Sequence, residues 1–500
     1  MFRWRKKYIN HCSNYELITY DATDNLHTEK IIIYGAGDYG KKLYNYFEFK
    51  GLQDNVLCFA VTSKTDHSEI CLGKTVNEIG GLEEELKESV VIIAMQKEYA
   101  AEVLVGMQKY DIKKIYCVSH EFIYGIPEMM FRDVCKLPVS RNKILFFNYG
   151  GLGYRCNCKY ISEEILRRKY PVQLIWVVSD SIIKNEIPEG IKTVKKGSFE
   201  YYRELYTSKV CIANNDNRLL TERKRDEQYY INTWHGYGPF KKVEASTVRN
   251  DERCKKAIKE SNSKYDLFVT ASTFYSKIFR TSFLYDGEIL ECGAPRNDIF
   301  WGDNDFRALI QKKYNIAPNK KIVLYAPTFR PDAENSFEKY SLDMDKILDA
   351  FRARFGAEFM LLYRFHHMLY VYGKNREFYK GGIDVTFYPD VQELLAAADV
   401  LITDYSSIMW DFSLQRKPVF LYQNDIGEYA DKPGFYAAPS EWPYPKACTE
   451  REFLECIKNF NEENYVRDVD CFLRKYGSCD DGHAAEKVLE RIMEVIKGNA

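Results

Sequence analysis

Residues 231–242 read INTWHGYGPFKK, and this stretch decides how the rest of the chain is interpreted. The residues that lead into it, 228–231 (QYYI), are aromatic and β-branched, which predicts a buried strand. Gly236 and Gly238 end that strand and let the backbone approach a ligand closely. Open α/β sheets hold their chemistry at the carboxyl ends of strands, so His235 is a candidate catalytic group. The alternative is a core histidine that donates to a backbone carbonyl.

The composition is that of a globular protein with more than one domain. At about 150 residues per domain, a chain of 500 residues predicts about three domains. Hydrophobic residues make up 46% and charged residues 29%, which excludes a disordered chain. Because 71 Lys and Arg nearly balance 72 Asp and Glu, we expect no nucleic-acid partner.

The fourteen cysteines form no CxxC pair, so we expect reduced and mostly buried thiols in a cytoplasmic protein. Cys156 and Cys158 are spaced too tightly for a zinc knuckle, and no metal site is predicted. No segment reaches the roughly 18 apolar residues of a membrane span. Residues 2–9 (FRWRKKYI) are basic and aromatic, which fits either a frayed, solvated terminus or peripheral contact with an anionic membrane at its inner face.

The first 137 residues predict a Rossmann-like domain. The buried strand KIIIY at 30–34 leads into Gly35, Gly37 and Gly40, and a helical pattern follows. Strand, GxGxxG and helix form the dinucleotide fingerprint. The strand at 56–62 lacks a terminal acidic residue for the ribose of NAD, which argues against that cofactor. Two interpretations remain: a nucleotide-binding module and a docking module.

The remainder alternates between short apolar runs and helical patterns, which predicts parallel sheets. The runs lie at residues 143–148, 173–179, 209–213, 231–234, 267–270, 288–292, 321–326, 358–365, 384–388, 400–403 and 418–422. We divide this part into domains at 138–315 and 316–480, closed by an amphipathic helix at 481–500. The prediction is α/β, with two facing Rossmann-like domains and a ligand cleft between them.

Cations follow several of these strands. Arg296 and Arg330 lie on loops after predicted strands, and Arg364, His366 and His367 follow the strand at 358–365. Arginine beside histidine suits a diphosphate whose leaving oxygens gain charge. The two adjacent histidines are also compatible with zinc, but no matching ligand set is evident in the sequence.

The sequence TDYSS at 403–407 ends a strand and opens a helix. Thr403, Asp404, Ser406 and Ser407 are all of the types that cap helices. Serine hydroxyls and free amides at a helix start form an anion site. The alternative is that these residues are caps only.

Five motifs, in order, resemble the CDP-glycerol glycerophosphotransferase family, the teichoic acid primases and polymerases that act on glycerol- and ribitol-phosphate. They are WHGxGxFKK at 234–242, GxPRND at 293–298, YAPTFR at 325–330, RxH at 364–366 and DVxxLLxxADxLITDYSSxxxDF at 390–412. The resemblance covers residues 143–480 and leaves out residues 1–137. It departs from many family members at His367, where they have proline.

The resemblance implies a GT-B-like fold and a transferase that moves an alditol phosphate from CDP-glycerol or CDP-ribitol to a hydroxyl of a glycan or lipid-linked acceptor. CMP would leave, and no cofactor is implied. His235 aligns with the proposed base, and His366 joins it as a catalytic candidate. The predicted substrate contacts are Gly236, Lys241, Lys242, Arg296, Arg330, Arg364, His367, Thr403, Asp404, Ser406 and Ser407.

Three alternatives compete with this function. A GT-B glycosyltransferase would use the same fold and phosphate site with a nucleotide-sugar donor. A scaffolding subunit of a surface-polymer complex would bind a partner through residues 1–137 and turn over no donor. A nicotinamide oxidoreductase is disfavoured by the missing acidic residue.

Overall fold

A computed structural model of the chain describes residues 15–65, 68–179, 186–215, 223–248, 251–330, 340, 342–365, 379–431 and 434–498. The predictions for residues 2–9, His366 and His367 therefore lie outside the described residues. The chain divides into two compact units, one of residues 1–139 and 194–207, the other of residues 140–193 and 208–500. Residues 194–207 thus group with the first unit, whereas the sequence-based division places them in the second domain.

The first unit is built on a seven-stranded sheet. Its strands are β1 (Glu16–Leu17), β2 (Lys30–Tyr34), β3 (Val56–Val61), β4 (Ile70–Cys71), β5 (Lys74–Glu78), β6 (Ser89–Ile93) and β7 (Lys114–Cys117). Its helices include α1 (Tyr20–Asp24), α2 (Asp38–Phe49), α3 (Glu83–Glu88), α4 (Lys97–Met107) and α5 (His120–Val134). The strand order is β1-β7-β6-β2-β3-β5-β4, and only the β4–β5 pair is antiparallel among the described pairings.

Strand β2 lies at the centre of this sheet, and its sequence explains why. Ile31 and Ile33 belong to one hydrophobic cluster, whereas Ile32 and Tyr34 belong to another. Successive side chains of a strand point to opposite faces, so both faces of β2 are covered. An uninterrupted apolar run such as KIIIY is what a strand buried on both sides requires.

The second unit contains two further sheets. The strands of one are β8 (Ser140–Phe147), β9 (Gln173–Val178), β10 (Ile191–Lys195), β11 (Ser208–Ala213), β12 (Tyr229–Asn232), β13 (Leu267–Thr270) and β14 (Glu288–Glu291), in the order β10-β9-β8-β11-β12-β13-β14. Those of the other are β15 (Lys321–Tyr325), β16 (Phe359–Tyr363), β17 (Ile383–Asp384), β18 (Val400–Thr403), β19 (Val419–Tyr422) and β20 (Lys446–Ala447), in the order β17-β16-β15-β18-β19-β20. The pairings that the structure describes in both sheets are parallel.

Helices connect these strands, as parallel sheets require. They are α6 (Cys156–Arg167), α7 (Phe199–Thr207, in the first unit), α8 (Glu252–Asn262), α9 (Thr273–Thr281), α10 (Phe306–Lys313), α11 (Met344–Phe355), α12 (Val391–Ala397), α13 (Ile408–Ser413), α14 (Ile426–Asp431), α15 (Glu450–Lys458), α16 (Glu462–Lys475) and α17 (Ala484–Lys497). The α/β class predicted from the sequence is confirmed.

The last helix packs on the sheet formed by β8 to β14. Val488, Leu489, Ile492 and Val495 of α17 share one hydrophobic cluster with Ile231 of β12. Their spacing places them on one side of the helix. The end of the chain therefore covers the sheet that carries His235. Within the described residues, no helix has the length and apolar character needed to cross a bilayer.

Candidate active site in the second unit

The loop after β12 begins with an unfavourable backbone conformation. Trp234 has φ +50°, a region that bulky residues rarely adopt. Its amide donates to Asn232 Oδ1 at 2.8 Å and its indole nitrogen donates to Tyr275 at 3.1 Å, so contacts on both sides hold it. The next residue, His235, is half-buried. Residues held in such conformations by their surroundings cluster at functional sites.

The imidazole of His235 is fixed in one tautomer. Its Nδ1 atom lies 2.6 Å from the backbone oxygen of Asn214. A carbonyl oxygen only accepts, so Nδ1 carries the proton and the neutral ring has its lone pair on Nε2. Burial lowers the pKa of His235 to about 4, the hydrogen bond to Asn214 opposes this shift, and the charge of Arg296 adds to it. The ring is therefore neutral at physiological pH.

Arg296 is buried and connects this loop to a carboxylate on another element. Its Nη1 donates to the backbone oxygen of His235 at 2.6 Å, and its Nη2 lies 2.8 Å from Asp411 Oδ2. Both charged side chains are almost fully buried, with 6% and 1% exposed. The sequence predicted a substrate contact for Arg296. In the structure its guanidinium joins the loop after β12 to helix α13, and the substrate contact stays a prediction.

A polar network that the sequence did not reveal supports the same histidine from the other side. Asn214 is fully buried, and its side chain bonds to Asn148 at 2.7 Å and to the amide of Tyr149 at 2.9 Å. Tyr149 also packs edge-on against His235, with ring centroids 5.2 Å apart. Asn214 directly follows β11, so the rule that favours strand ends could have singled it out.

The loop of His235 meets the serine turn of the other sheet. A Cβ atom at Gly236 would lie 3.5 Å from Ser407 Oγ. Within the described chain the Ser407 hydroxyl has no hydrogen-bond partner, and Ser406 Oγ accepts only from the amide of Ile408 at 3.5 Å. Helix α13 spans only six residues, which is too short for a strong helix dipole. The donors available to a ligand here are therefore the serine hydroxyls.

Other predicted contacts in this region bond to one another. Asp404 accepts from the Thr328 hydroxyl at 2.7 Å and pairs with Arg330 at 2.9 Å. Arg330 also pairs with Asp425 at 2.7 Å. The Thr403 hydroxyl donates to a backbone oxygen of Ala326 at 2.7 Å. These buried groups fix the shape of the turn that presents Ser406 and Ser407.

Two lysines follow the His235 loop. Lys241 forms an isolated antiparallel bridge with Phe435, and the amide of Lys242 donates to Gly434 at 3.1 Å. The pKa of Lys241 is lowered by partial burial and by the positive charge of Arg330. Mutual repulsion between cations favours a negatively charged ligand beside them.

Arg364 faces a second arginine that the sequence did not single out. Its Nη1 donates to the backbone oxygens of Val385 and Tyr388, at 3.0 and 2.7 Å. Burial and, after it, the charge of Arg155 together lower the pKa of Arg364 to about 10. The Arg155 Nε atom is buried without a partner among the described residues, and its guanidinium stacks over Tyr149. Neither arginine pairs with a described carboxylate.

The described residues thus combine a neutral imidazole, two serine hydroxyls that donate to no described acceptor, and two arginines without described carboxylate partners. Such an arrangement can accept a proton from a hydroxyl and hold phosphate oxygens nearby. No cluster of three or more metal-ligating side chains occurs in the described part of the chain.

Comparison with known proteins agrees with this chemistry. The model of the CDP-Glycerol:Poly(glycerophosphate) glycerophosphotransferase family matches residues 129–494. The chain is 28% identical over 395 residues to the teichoic acid poly(glycerol phosphate) polymerase of Bacillus subtilis, which covers 77% of this chain and 53% of the polymerase. It is 32% identical over 375 residues to that of Staphylococcus epidermidis, covering 72% and 51%. The matches span about half the length of these two relatives.

Among solved structures, the wall teichoic acid polymerase TagF superposes with a TM-score of 0.65 at 28% identity, covering 74% of this chain and 93% of that chain. This likeness confirms the GT-B-like pair of Rossmann-like domains predicted from the sequence. The chain belongs to the CDP-glycerol:poly(glycerophosphate) glycerophosphotransferase family.

Proposed function

We propose that this protein transfers glycerol phosphate, or a related alditol phosphate, from a CDP-activated donor to a hydroxyl of a teichoic-acid-type acceptor and releases CMP. The observation that carries the proposal is the approach of the His235 loop to Ser407, which a Cβ at Gly236 would meet at 3.5 Å. A proton acceptor and phosphate-binding hydroxyls then share one site. Family membership supports the alditol phosphate over the nucleotide-sugar alternative.

In the proposed reaction the acceptor hydroxyl donates its hydrogen bond to His235 Nε2. The hydroxyl oxygen forms a new bond to the phosphorus that carries the alditol, and the bond from that phosphorus to the bridging oxygen breaks. CMP leaves with the electron pair of that bond, and His235 holds the acceptor proton. Arg364, Ser406 and Ser407 would stabilise the charge that develops on the phosphate oxygens.

A base with a pKa of about 4 is weak for this task. The donor itself offers a remedy, because its diphosphate brings negative charge towards His235. A nearby negative charge favours the protonated imidazole and raises its pKa. We therefore propose that donor binding activates the base, and that Arg155 and Arg364 set the position of the diphosphate.

The proposal includes neither a cofactor nor a resident metal; the CDP-alditol is a substrate. The acceptor is proposed to be a glycan or a lipid-linked precursor, met by peripheral contact at the inner face of the membrane. Predicted contacts at His366 and His367 belong to the same proposal for the donor phosphates.

The test replaces His235 by asparagine in the full chain and measures CMP release from CDP-glycerol and CDP-ribitol. We expect release to fall by about 10²–10⁴, the usual contribution of a general base. Donor affinity, measured by calorimetry, should change by less than about threefold, because Nε2 faces the acceptor. The exposed His27, in the first unit, provides the matched control H27N.

Turnover of H235N at the wild-type rate would remove the base assignment. Release of UMP, UDP or GDP from nucleotide sugars, with no CMP from either CDP-alditol, would favour the glycosyltransferase instead. The chain length of the product, read by mass spectrometry, separates single from repeated transfer.

A further inference from the structure

The first unit contains a pocket that the family match does not reach. Its volume is about 860 Å³, and it is lined by residues at the ends of β2, β3, β5 and β6. From β2 the chain proceeds outward to β3 and β5 on one side, and returns to β6 and β7 on the other. The pocket lies at this reversal, where open α/β sheets bind their ligands. Its volume suits a small molecule of nucleotide size.

The three glycines of the fingerprint are required for different physical reasons, two by the fold and one by the space that it leaves open. A Cβ at Gly40 would lie 1.8 Å from the backbone oxygen of Gly35, and a Cβ at Gly35 would lie 2.8 Å from that of Ala94. The fold itself therefore requires both. A Cβ at Gly37 would meet nothing within 4 Å, and its φ of −80° suits any residue. The protein leaves the space beside Gly37 open, and Gly37 is one of the residues that line the pocket.

Unused backbone donors border the same space. The amides of Ala36, Gly37 and Asp38 make no hydrogen bond to any described residue. They begin α2, a helix of 12 residues, so its dipole adds to their attraction for an anion. The carboxylate of Asp38 is compensated by Lys42, 2.9 Å away.

The pocket also supplies an acidic group, which the end of β3 lacks. β3 ends without a carboxylate, but its Val61 pairs in register with Glu78, the last residue of the neighbouring strand β5. Glu78 lines the pocket and can accept from ribose hydroxyls. Tyr99 and Tyr124, 63% and 55% exposed, line it as well and offer aromatic surface for a base.

We propose that the first unit binds a nucleoside diphosphate, free or as the activated half of a larger molecule. Its phosphates lie against the amides that follow Gly35, with the backbone of Gly37 in contact, and its ribose reaches Glu78. This site is separate from the transfer reaction and gives residues 1–137 a binding role of their own.

The test is calorimetric titration of the full chain with ADP, UDP and GDP, each in the presence of saturating CMP, the proposed product, to occupy the proposed donor site. The decisive variant is Gly37→Ala, whose methyl group fits the protein but not a phosphate against the loop. We expect one diphosphate to bind with 1:1 stoichiometry and its affinity to fall at least about tenfold in G37A. The control is Gly81→Ala, a surface glycine with equally open space that does not line the pocket.

Thermal melting should be unchanged in both variants, which shows that neither disturbs the fold, and CMP release from CDP-glycerol should be unchanged in G37A. Absence of binding by all three diphosphates at millimolar concentration would overturn the inference. So would a diphosphate that CMP displaces and that G37A binds normally, because that ligand occupies the donor site. Failure here leaves the alditol-phosphate transfer intact, since H235N tests that reaction separately.

Discussion

Replacing Arg296 by methionine, alone and together with Asp411→Asn, tests what the buried Arg296–Asp411 ion pair contributes to stability and what Arg296 contributes to turnover. The change removes the partner that lies 2.8 Å from Asp411 and the donor that lies 2.6 Å from the His235 backbone oxygen. Of its partners among the described residues, Asp411, 1% exposed, then keeps the amide donors of Asn297 at 3.3 Å and Gln392 at 3.5 Å. Leaving one charge of a buried pair without its partner costs about 3–5 kcal/mol.

For a unit of this size, a loss of about 4 kcal/mol lowers the melting temperature by about 5 °C. The double variant R296M/D411N removes the stranded charge and should recover most of that loss. It does not restore the donor to the His235 carbonyl, a charged hydrogen bond worth about 1.5–3 kcal/mol. CMP release should therefore stay about 10- to 100-fold below wild type while the melting temperature recovers.

Calorimetry and CMP release on the wild type and three variants provide the measurement. The third variant, K159M, breaks another buried ion pair of the same unit, in which Lys159 Nζ lies 2.9 Å from Asp390 Oδ2. Lys159 has no described contact with His235. It should lose stability without a specific loss of turnover. If R296M/D411N recovered both properties, Arg296 would act through stability alone. A cost below about 1 kcal/mol in R296M would mean that water reaches the pair.

Two more predictions concern the same site. Because burial lowers the pKa of His235 to about 4, the base is already neutral well below pH 6.5, so kcat/KM should stay flat between about pH 5.5 and 7.5. The acid limb of kcat should lie higher than that of kcat/KM, since the bound diphosphate raises this pKa; an acid limb of kcat/KM centred near 6.5 would contradict it. Replacing Ser407 by alanine should weaken CDP-glycerol binding about tenfold, the effect of one hydrogen bond to a charged group. Unchanged affinity by calorimetry, with the exposed-site variant S263A as control, would show that its hydroxyl does not contact the donor.

The regular elements of this protein follow from its sequence wherever burial is complete. The apolar runs at 30–34, 267–270 and 400–403 were predicted with the bounds that the structure gives. The strand predicted at 384–388 was wrong beyond its first residue, since β17 is only Ile383–Asp384. The backbone then turns so that the oxygens of Val385 and Tyr388 accept from Arg364, a bond to a distant residue that no local pattern contains.

The candidate site shows the same division. Rules about strand ends select His235, Arg296, Arg330 and Arg364. They do not distinguish an arginine in a buried ion pair from one that is available to a ligand. Arg155 also follows a glycine-rich loop at a strand end, so that rule, applied to 149–153, would have found it. Tertiary packing alone shows that its Nε atom lacks a described partner.

The sequence by itself determined the α/β class and the family, and it named the histidine of the WHG motif as a candidate, because these depend on residue types at short spacing and on motif order. Only the tertiary structure decided which cations pair with carboxylates, which ring nitrogen of His235 holds the proton, and that Gly236 approaches Ser407. The physical reason is distance along the chain. His235 and Asn214 lie 21 positions apart, and Arg296 and Asp411 lie 115 apart. Such contacts are set by how the strands and sheets pack, and no local pattern encodes that packing.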